Sequence, residues 1–228
     1  MIAIVDYEMG NLRSVQKGFE TVGYDAVVTR APAVIDRASH VVLPGVGAFG
    51  DCVKNLNRFG LVEPLRRSIS LGKPFLGICL GLQGLFTESE EFGAHQGLDI
   101  FKGKVKRFSF AGHQEKELKI PHMGWNSIDI AHPSPMLNDI TQEAYVYFVH
   151  SYYALPEIKN NIFGSTNYGD LNFCSIVKVT TLQTKGYYRD KTITSSFAAI
   201  LSIITMAVLY CFYTEFACIM LFPLIDDS

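Results

Sequence analysis

Short apolar runs alternate with stretches of helical periodicity over the first 79 residues, and few architectures accommodate that alternation. Residues 2–6 (Ile-Ala-Ile-Val-Asp), 24–29, 40–43 and 75–78 have strand length. Residues 11–22 place Leu12, Val15, Phe19 and Val22 at spacings of three and four, which buries one face of a helix. Residues 61–69 read as a second helix. Strands separated by helical crossovers run parallel, and a parallel sheet needs cover on both faces. The expected fold class is α/β, a mostly parallel central sheet flanked by helices. After Phe101 the texture changes. Residues 104–108, 127–130, 144–149, 152–155 and 172–177 read as strands joined by turns, an antiparallel extension.

Composition narrows the functional classes. The 228 residues are 48% apolar and 18% charged, which excludes disorder and leaves room for a sizeable core. A net charge of −2 argues against nucleic acid as a partner, because no basic excess is present to displace counterions. Five cysteines without a CxxC pair point to a reducing, cytoplasmic setting with neither disulfide framework nor metal site. Met1 runs straight into the first strand with no basic stretch, so no signal peptide is expected. The mean hydropathy is slightly above zero, and the excess is local. Residues 192–214 contain no charge, a span long enough to be a membrane candidate on length alone. Residues 1–178 therefore read as one domain and 179–228 as a divergent apolar tail.

Two segments carry candidate chemistry. Gly77-Ile78-Cys79-Leu80-Gly81 lies at a strand-to-helix junction and fits a nucleophile elbow with cysteine at its tip. Amide N–H groups of a helix beginning there favour the thiolate; the plain rival is a buried cysteine ending a strand. Pro44-Gly45-Val46-Gly47-Ala48-Phe49-Gly50 follows the strand at 40–43 and can present backbone N–H groups to an anion or an oxyanion. It lacks the Gly-Lys-Ser/Thr ending of a P-loop, and its fit to G-x-G-x-x-G spacing carries little weight alone. The plain rival is a turn.

Together with Lys119-Ile-Pro-His-Met-Gly-Trp-Asn126 and His150-Ser-Tyr-Tyr153, these segments make residues 1–178 resemble the class I glutamine amidotransferases. Within that family the closer likeness is to the glutaminase subunits of imidazole glycerol phosphate synthase, which act in histidine biosynthesis. The resemblance implies that Cys79 attacks the side-chain amide of glutamine, forming a thioester and releasing ammonia. It implies an oxyanion site from Gly45, Val46, Gly47 and Leu80. Gln83, Glu91, His150, Ser151 and Tyr152 match glutamine-binding positions. Asn11, Met123 and Trp125 match the face that docks on a cyclase subunit, giving a heterodimer that passes ammonia onward; no cofactor is implied. From the residues alone, Gln83 also reads as an exposed helix position, Glu91 as part of a solvated acidic run, His122 as a turn residue and Trp125 as core. His95, His113 and His132 lie in polar loops without metal-ligand spacing and join no site. Amidation of surface-polysaccharide sugars and a non-catalytic docking subunit stay open as alternatives.

The likeness stops near Lys178. The family carries its general base and the carboxylate that orients it on a late Gln-Phe-His-Pro-Glu-Lys-Ser stretch. Here the last histidine is His150, and Val179-Thr-Thr-Leu-Gln-Thr-Lys-Gly-Tyr-Tyr188 stands where that stretch is expected. Codons for Gly-Asn-Asn read one base late give Val-Thr-Thr, so a reading-frame change fits residues 179–181. A divergent in-frame tail and a membrane anchor are the other two origins. The anchor is disfavoured by the lack of a strong basic cluster on its C-terminal side and by the acidic residues Glu215, Asp226 and Asp227 that follow.

Overall fold

In the computed structural model, residues 1–110, 118–134, 137, 140, 142, 144–178 and 220–222 are described, the last three by their backbone. The calls on His113, Cys211, Cys218 and the 192–214 span lie outside them. Strands β1 (Ile2–Val5), β2 (Ala26–Thr29), β3 (His40–Gly45) and β4 (Phe75–Cys79) form a wholly parallel sheet in the order β2-β1-β3-β4. Helix α1 (Leu12–Thr21) packs on one face, where Val15 and Phe19 meet Ile2, Ile4, Val42 and Ile78. Helices α2 (Pro32–Arg37), α3 (Phe49–Arg58) and α4 (Val62–Ser70) cover the other, where Ile35, Leu56 and Leu65 meet Ala3, Val5, Val41 and Leu43. The alternation Ile2, Ile4 against Ala3, Val5 divides β1 between the two cores, as the period of a strand requires.

The antiparallel part is larger than an extension. It is a nine-stranded sheet in the order β13-β9-β8-β11-β12-β10-β7-β5-β6, with β5 (Phe86–Ser89), β6 (His95–Gln96), β7 (Phe101–Arg107), β8 (His122–Ile130) and β9 (Ala144–His150). β10 (Tyr152–Pro156), β11 (Ile162–Tyr168), β12 (Leu171–Val177) and β13 (Met220–Phe222) complete it. Only the β5–β7 pair is parallel among its described pairings. The tail thus supplies one described element, β13, which pairs antiparallel with β9. An aromatic core of Phe108, Phe110, Phe148 and Phe173 lies under this sheet.

Several local expectations are corrected. Phe49 and Gly50 belong to α3 rather than to a loop, and Gly45 is the last residue of β3. The glycines hid a helix start, since Glu91 on a distant segment caps it and no local capping side chain does. His122 is a strand residue, buried to 3% exposure, and no turn residue. β11 escaped notice because Gly164 and Asn167 interrupt its apolar pattern. No helix among the described residues is long and apolar enough to cross a membrane.

Candidate active site

The strand order places the elbow. β1 leads through α1 to β2 on one side, whereas β3 and β4 lie on the other, so the chain reverses direction between β1 and β3. Open parallel sheets bind ligands at that point, beyond the C-terminal ends of the strands. The segments at 6–11, 46–48 and 79–80 all leave strands there. They touch: a Cβ on Gly10 would lie 3.4 Å from the Gly45 Cα, and one on Gly47 would come within 2.7 Å of the Met9 methyl. Asn11 receives the Ser14 amide at 3.2 Å and so caps α1 at the same edge.

Cys79 has φ 53° and ψ −114°, a backbone that L-residues rarely adopt. Strain at a single half-buried residue between a strand and a helix is the mark of an elbow. Its flanking glycines are sterically required. A Cβ at Gly81 would sit 1.8 Å from the Leu43 carbonyl oxygen, and one at Gly77 2.9 Å from the Leu82 backbone. Gly45 is the strand partner of Cys79, and a Cβ there would lie 2.9 Å from the Gly81 amide. The Gly45-Val46-Gly47 backbone, Leu80 and the thiol are therefore brought to one place. Helix α5 (Leu80–Gln83) is a single turn, so local amides rather than a long helix dipole act on the sulfur. Cys52 and Cys174 are deeply buried thiols, which pushes both up to about 12.

Gln83, at the end of α5, donates from Nε2 to the Tyr152 carbonyl at 3.1 Å. Glu91 accepts the Phe49 amide at 2.7 Å, fixing the start of α3 and with it the 46–48 segment. Burial raises the Glu91 carboxyl above its usual range, opposed by that amide and by His95. Tyr152 is raised by burial and then by the Glu91 carboxylate, so the two face a common space. Ser151 accepts the Phe108 amide through its carbonyl at the β9–β10 bend. His150 is a buried link rather than a pocket wall: Nδ1 meets the Tyr152 carbonyl at 2.8 Å and Nε2 meets His122 Nδ1 at 3.1 Å. His95, left out of every site by its polar surroundings, lies on β6 with its ring against Gly50. No cluster of three or more His, Cys, Asp or Glu among the described residues is arranged to hold a metal ion.

Met123 and Trp125 stand on the outer face of β8, 58% and 47% exposed, with Trp125 edge-on to Tyr147 at 5.5 Å. Trp125 is therefore a surface residue and not core.

The sequence pattern described as "Glutamine amidotransferase class-I" matches residues 3–183. The chain belongs to that family. An "Imidazole glycerol phosphate synthase subunit HisH" from Syntrophotalea carbinolica is 57% identical over 178 residues, 78% of this chain and 86% of that one. The protein of the same name from Geobacter sulfurreducens is 53% identical, covering 77% and 84%. The one from Aquifex aeolicus is 47% identical over 174 residues, covering 76% and 81%. A crystal structure of a glutamine amidotransferase shares the fold with TM-score 0.57 at 14% identity, covering 77% of this chain and 89% of that one. PurLQS from Thermotoga maritima does so with TM-score 0.54 at 16% identity, covering 72% and 73%.

The two buried histidines of this amidotransferase chain make its stability acid-sensitive. Burial holds His122 and His150 at about 4, helped at His122 by the neighbouring His150 and opposed at His150 by the Tyr152 carbonyl. Their folded values lie below the unfolded value of about 6.5. The unfolded chain therefore takes up protons first as pH falls, and stability present above pH ~6.5 is lost down to pH ~4. The ceiling is about 3 kcal/mol per ring. Between pH 6.5 and 5, before most carboxylates titrate, the urea midpoint should fall steadily; a flat midpoint over that window would refute the assignment.

Proposed function

We propose that this chain is the glutaminase subunit of an imidazole glycerol phosphate synthase, acting in histidine biosynthesis with a cyclase partner. The strained thiol at Cys79, set beside the Gly45-Val46-Gly47 backbone, carries this reading. Relatives of that name at 53–57% identity support it. In the proposed chemistry the Cys79 sulfur attacks the side-chain amide carbon of glutamine. The amides of the 45–47 segment and Leu80 hold the oxyanion, ammonia leaves, and water releases glutamate from the thioester. Gln83, Glu91, Ser151 and Tyr152 bind the amino-acid end of glutamine. Asn11, Met123 and Trp125 form the face toward the cyclase.

A docking subunit with impaired glutaminase activity is the form proposed for this particular chain, because no histidine occurs in residues 151–228. Residues 1–178 are proposed as the amidotransferase body and 179–228 as a tail read in a shifted frame. Resequencing the gene tests the tail: a single insertion or deletion near codon 178 should restore Phe-His-Pro-Glu. Docking is tested by sedimentation with a purified cyclase subunit of this enzyme class. A one-to-one complex is expected, and Trp125→Ala should weaken it by roughly thirtyfold, as for a central aromatic anchor. No complex with the parent chain would sink the reading.

A further inference from the structure

A run of directed hydrogen bonds crosses the interior from the outer strand pair to the elbow helix. It begins at Asn126, whose Nδ2 meets His122 Nε2 at 3.4 Å and the Asn167 carbonyl at 2.8 Å. It continues from His122 Nδ1 to His150 Nε2 at 3.1 Å, and from His150 Nδ1 to the Tyr152 carbonyl at 2.8 Å. The same carbonyl accepts Gln83 Nε2 at 3.1 Å.

The direction of every link follows from one fixed point. A carbonyl oxygen only accepts, so His150 carries its proton on Nδ1 and presents a bare Nε2. That nitrogen needs a donor, which puts the His122 proton on Nδ1 and leaves its Nε2 to accept from Asn126. Both rings are thereby neutral and fully used, as buried polar groups must be. Packing keeps them from turning: His122 is stacked between Tyr168 at 3.9 Å and Phe148 at 4.8 Å, and Phe108 meets His150 edge-on at 5.0 Å.

The end of this chain is an amide that is otherwise ambiguous. A glutamine side chain presents a donor or an acceptor depending on a half-turn about its last bond. Holding Gln83 Nε2 on the Tyr152 carbonyl makes Oε1 the free-turning acceptor end, the polarity needed to meet the ammonium group of an amino acid. We propose that His122 and His150 are positioning residues that hold the Tyr152 carbonyl where it accepts from Gln83, and so keep the acceptor end of Gln83 aimed at the glutamine site. The inference rests on the glutamine reading above. It also makes β8 a strand with two duties: His122 starts the chain inside while its neighbour Met123 faces out.

The test compares the full-length parent with His122→Phe and His122→Asn. The first keeps an aromatic ring in the stack without a donor; the second places an amide nitrogen near the position of Nδ1. Labelling of Cys79 by the glutamine analogue 6-diazo-5-oxo-norleucine is followed by peptide mass spectrometry. For His122→Phe the half-saturating concentration should rise about tenfold, the worth of one hydrogen bond, with little change in the maximal rate. His122→Asn should return most of that loss. Alkylation of Cys79 by iodoacetamide, which needs no glutamine site, should be equal in all three. Nitrogen-15 spectra should show both parent rings protonated on Nδ1 only, and the Gln83 side-chain amide signals should move in the phenylalanine variant. Unmoved Gln83 signals, or a protonated Nε2 on His150, overturn the assignment even if a variant folds poorly. Absence of saturable labelling in the parent overturns the glutamine reading instead, and the Gln83 signals then decide the positioning role by themselves.

Discussion

With a saturated cyclase partner, this chain is expected to release glutamate from glutamine roughly ten-thousandfold or more below the rate of a complete Cys-His-Glu triad. On the proposed reading Cys79 is the nucleophile, and residues 151–228 hold no histidine to take its proton or to protonate the leaving ammonia. Four of the five described histidines are placed away from the thiol or have both ring nitrogens engaged. His122 and His150 have both nitrogens engaged inside the aromatic core, and burial keeps them neutral. His40 begins β3, at the opposite end of that strand from Gly45. His132 packs against Phe163 under the second sheet. Glutamate release by the purified complex, compared with a relative that retains the triad, measures the deficit. A rate within a hundredfold of that relative, abolished by Cys79→Ala, would contradict the expectation. Loss of such a rate on His95→Ala would then identify the substitute base, because His95 is the described histidine seated against α3 beside the 46–48 segment.

Gly81→Ala should cost more stability than a methyl group added at any other glycine around the elbow, about 4 kcal/mol or more, enough to leave the chain largely unfolded at 37 °C. The added carbon would lie 1.8 Å from the Leu43 carbonyl oxygen, which is backbone in the middle of a parallel sheet and has no rotamer to escape into. Relief requires α5 to lift from β3, and that opens the contact between Gly45 and the Gly81 amide. Gly84→Ala is the internal control. Its Cβ would meet the Cys52 sulfur at 3.4 Å, an ordinary contact, and Gly84 already has helical φ and ψ. That variant should stay within about 1 kcal/mol of the parent. Urea unfolding of the two variants side by side measures the contrast, and equal midpoints would refute the steric account.

The half of the fold that builds the elbow was legible because local rules suffice there. Buried parallel strands are short apolar runs, and α1 writes its buried face at a period of 3.6. The pentapeptide around Cys79 was legible because its two glycines flank the cysteine in the sequence itself, although the contact that requires Gly81 is to distant Leu43. What escaped was long-range. Glu91 looked like solvated surface because its partner, the Phe49 amide, is 42 positions distant. His122 and His150 looked unrelated at a separation of 28, although they are direct cross-strand neighbours. Trp125 is outward because its strand alternates about the buried His122 and Ile128, a register no composition count reveals.

The strained backbone at Cys79 also carries a date. Holding a cysteine at φ 53° costs about 1–3 kcal/mol relative to a glycine there, and on the proposed reading chemistry at the sulfur compensates for it. A lineage long released from that chemistry gains stability from the first drift to glycine, so the cysteine is among the earliest residues to disappear. On the proposed reading, its presence in a chain whose residues 151–228 hold no histidine makes the loss of the base recent on the scale of that drift. An abrupt genetic event near codon 178 has that timing; an ancient conversion to a purely docking subunit does not.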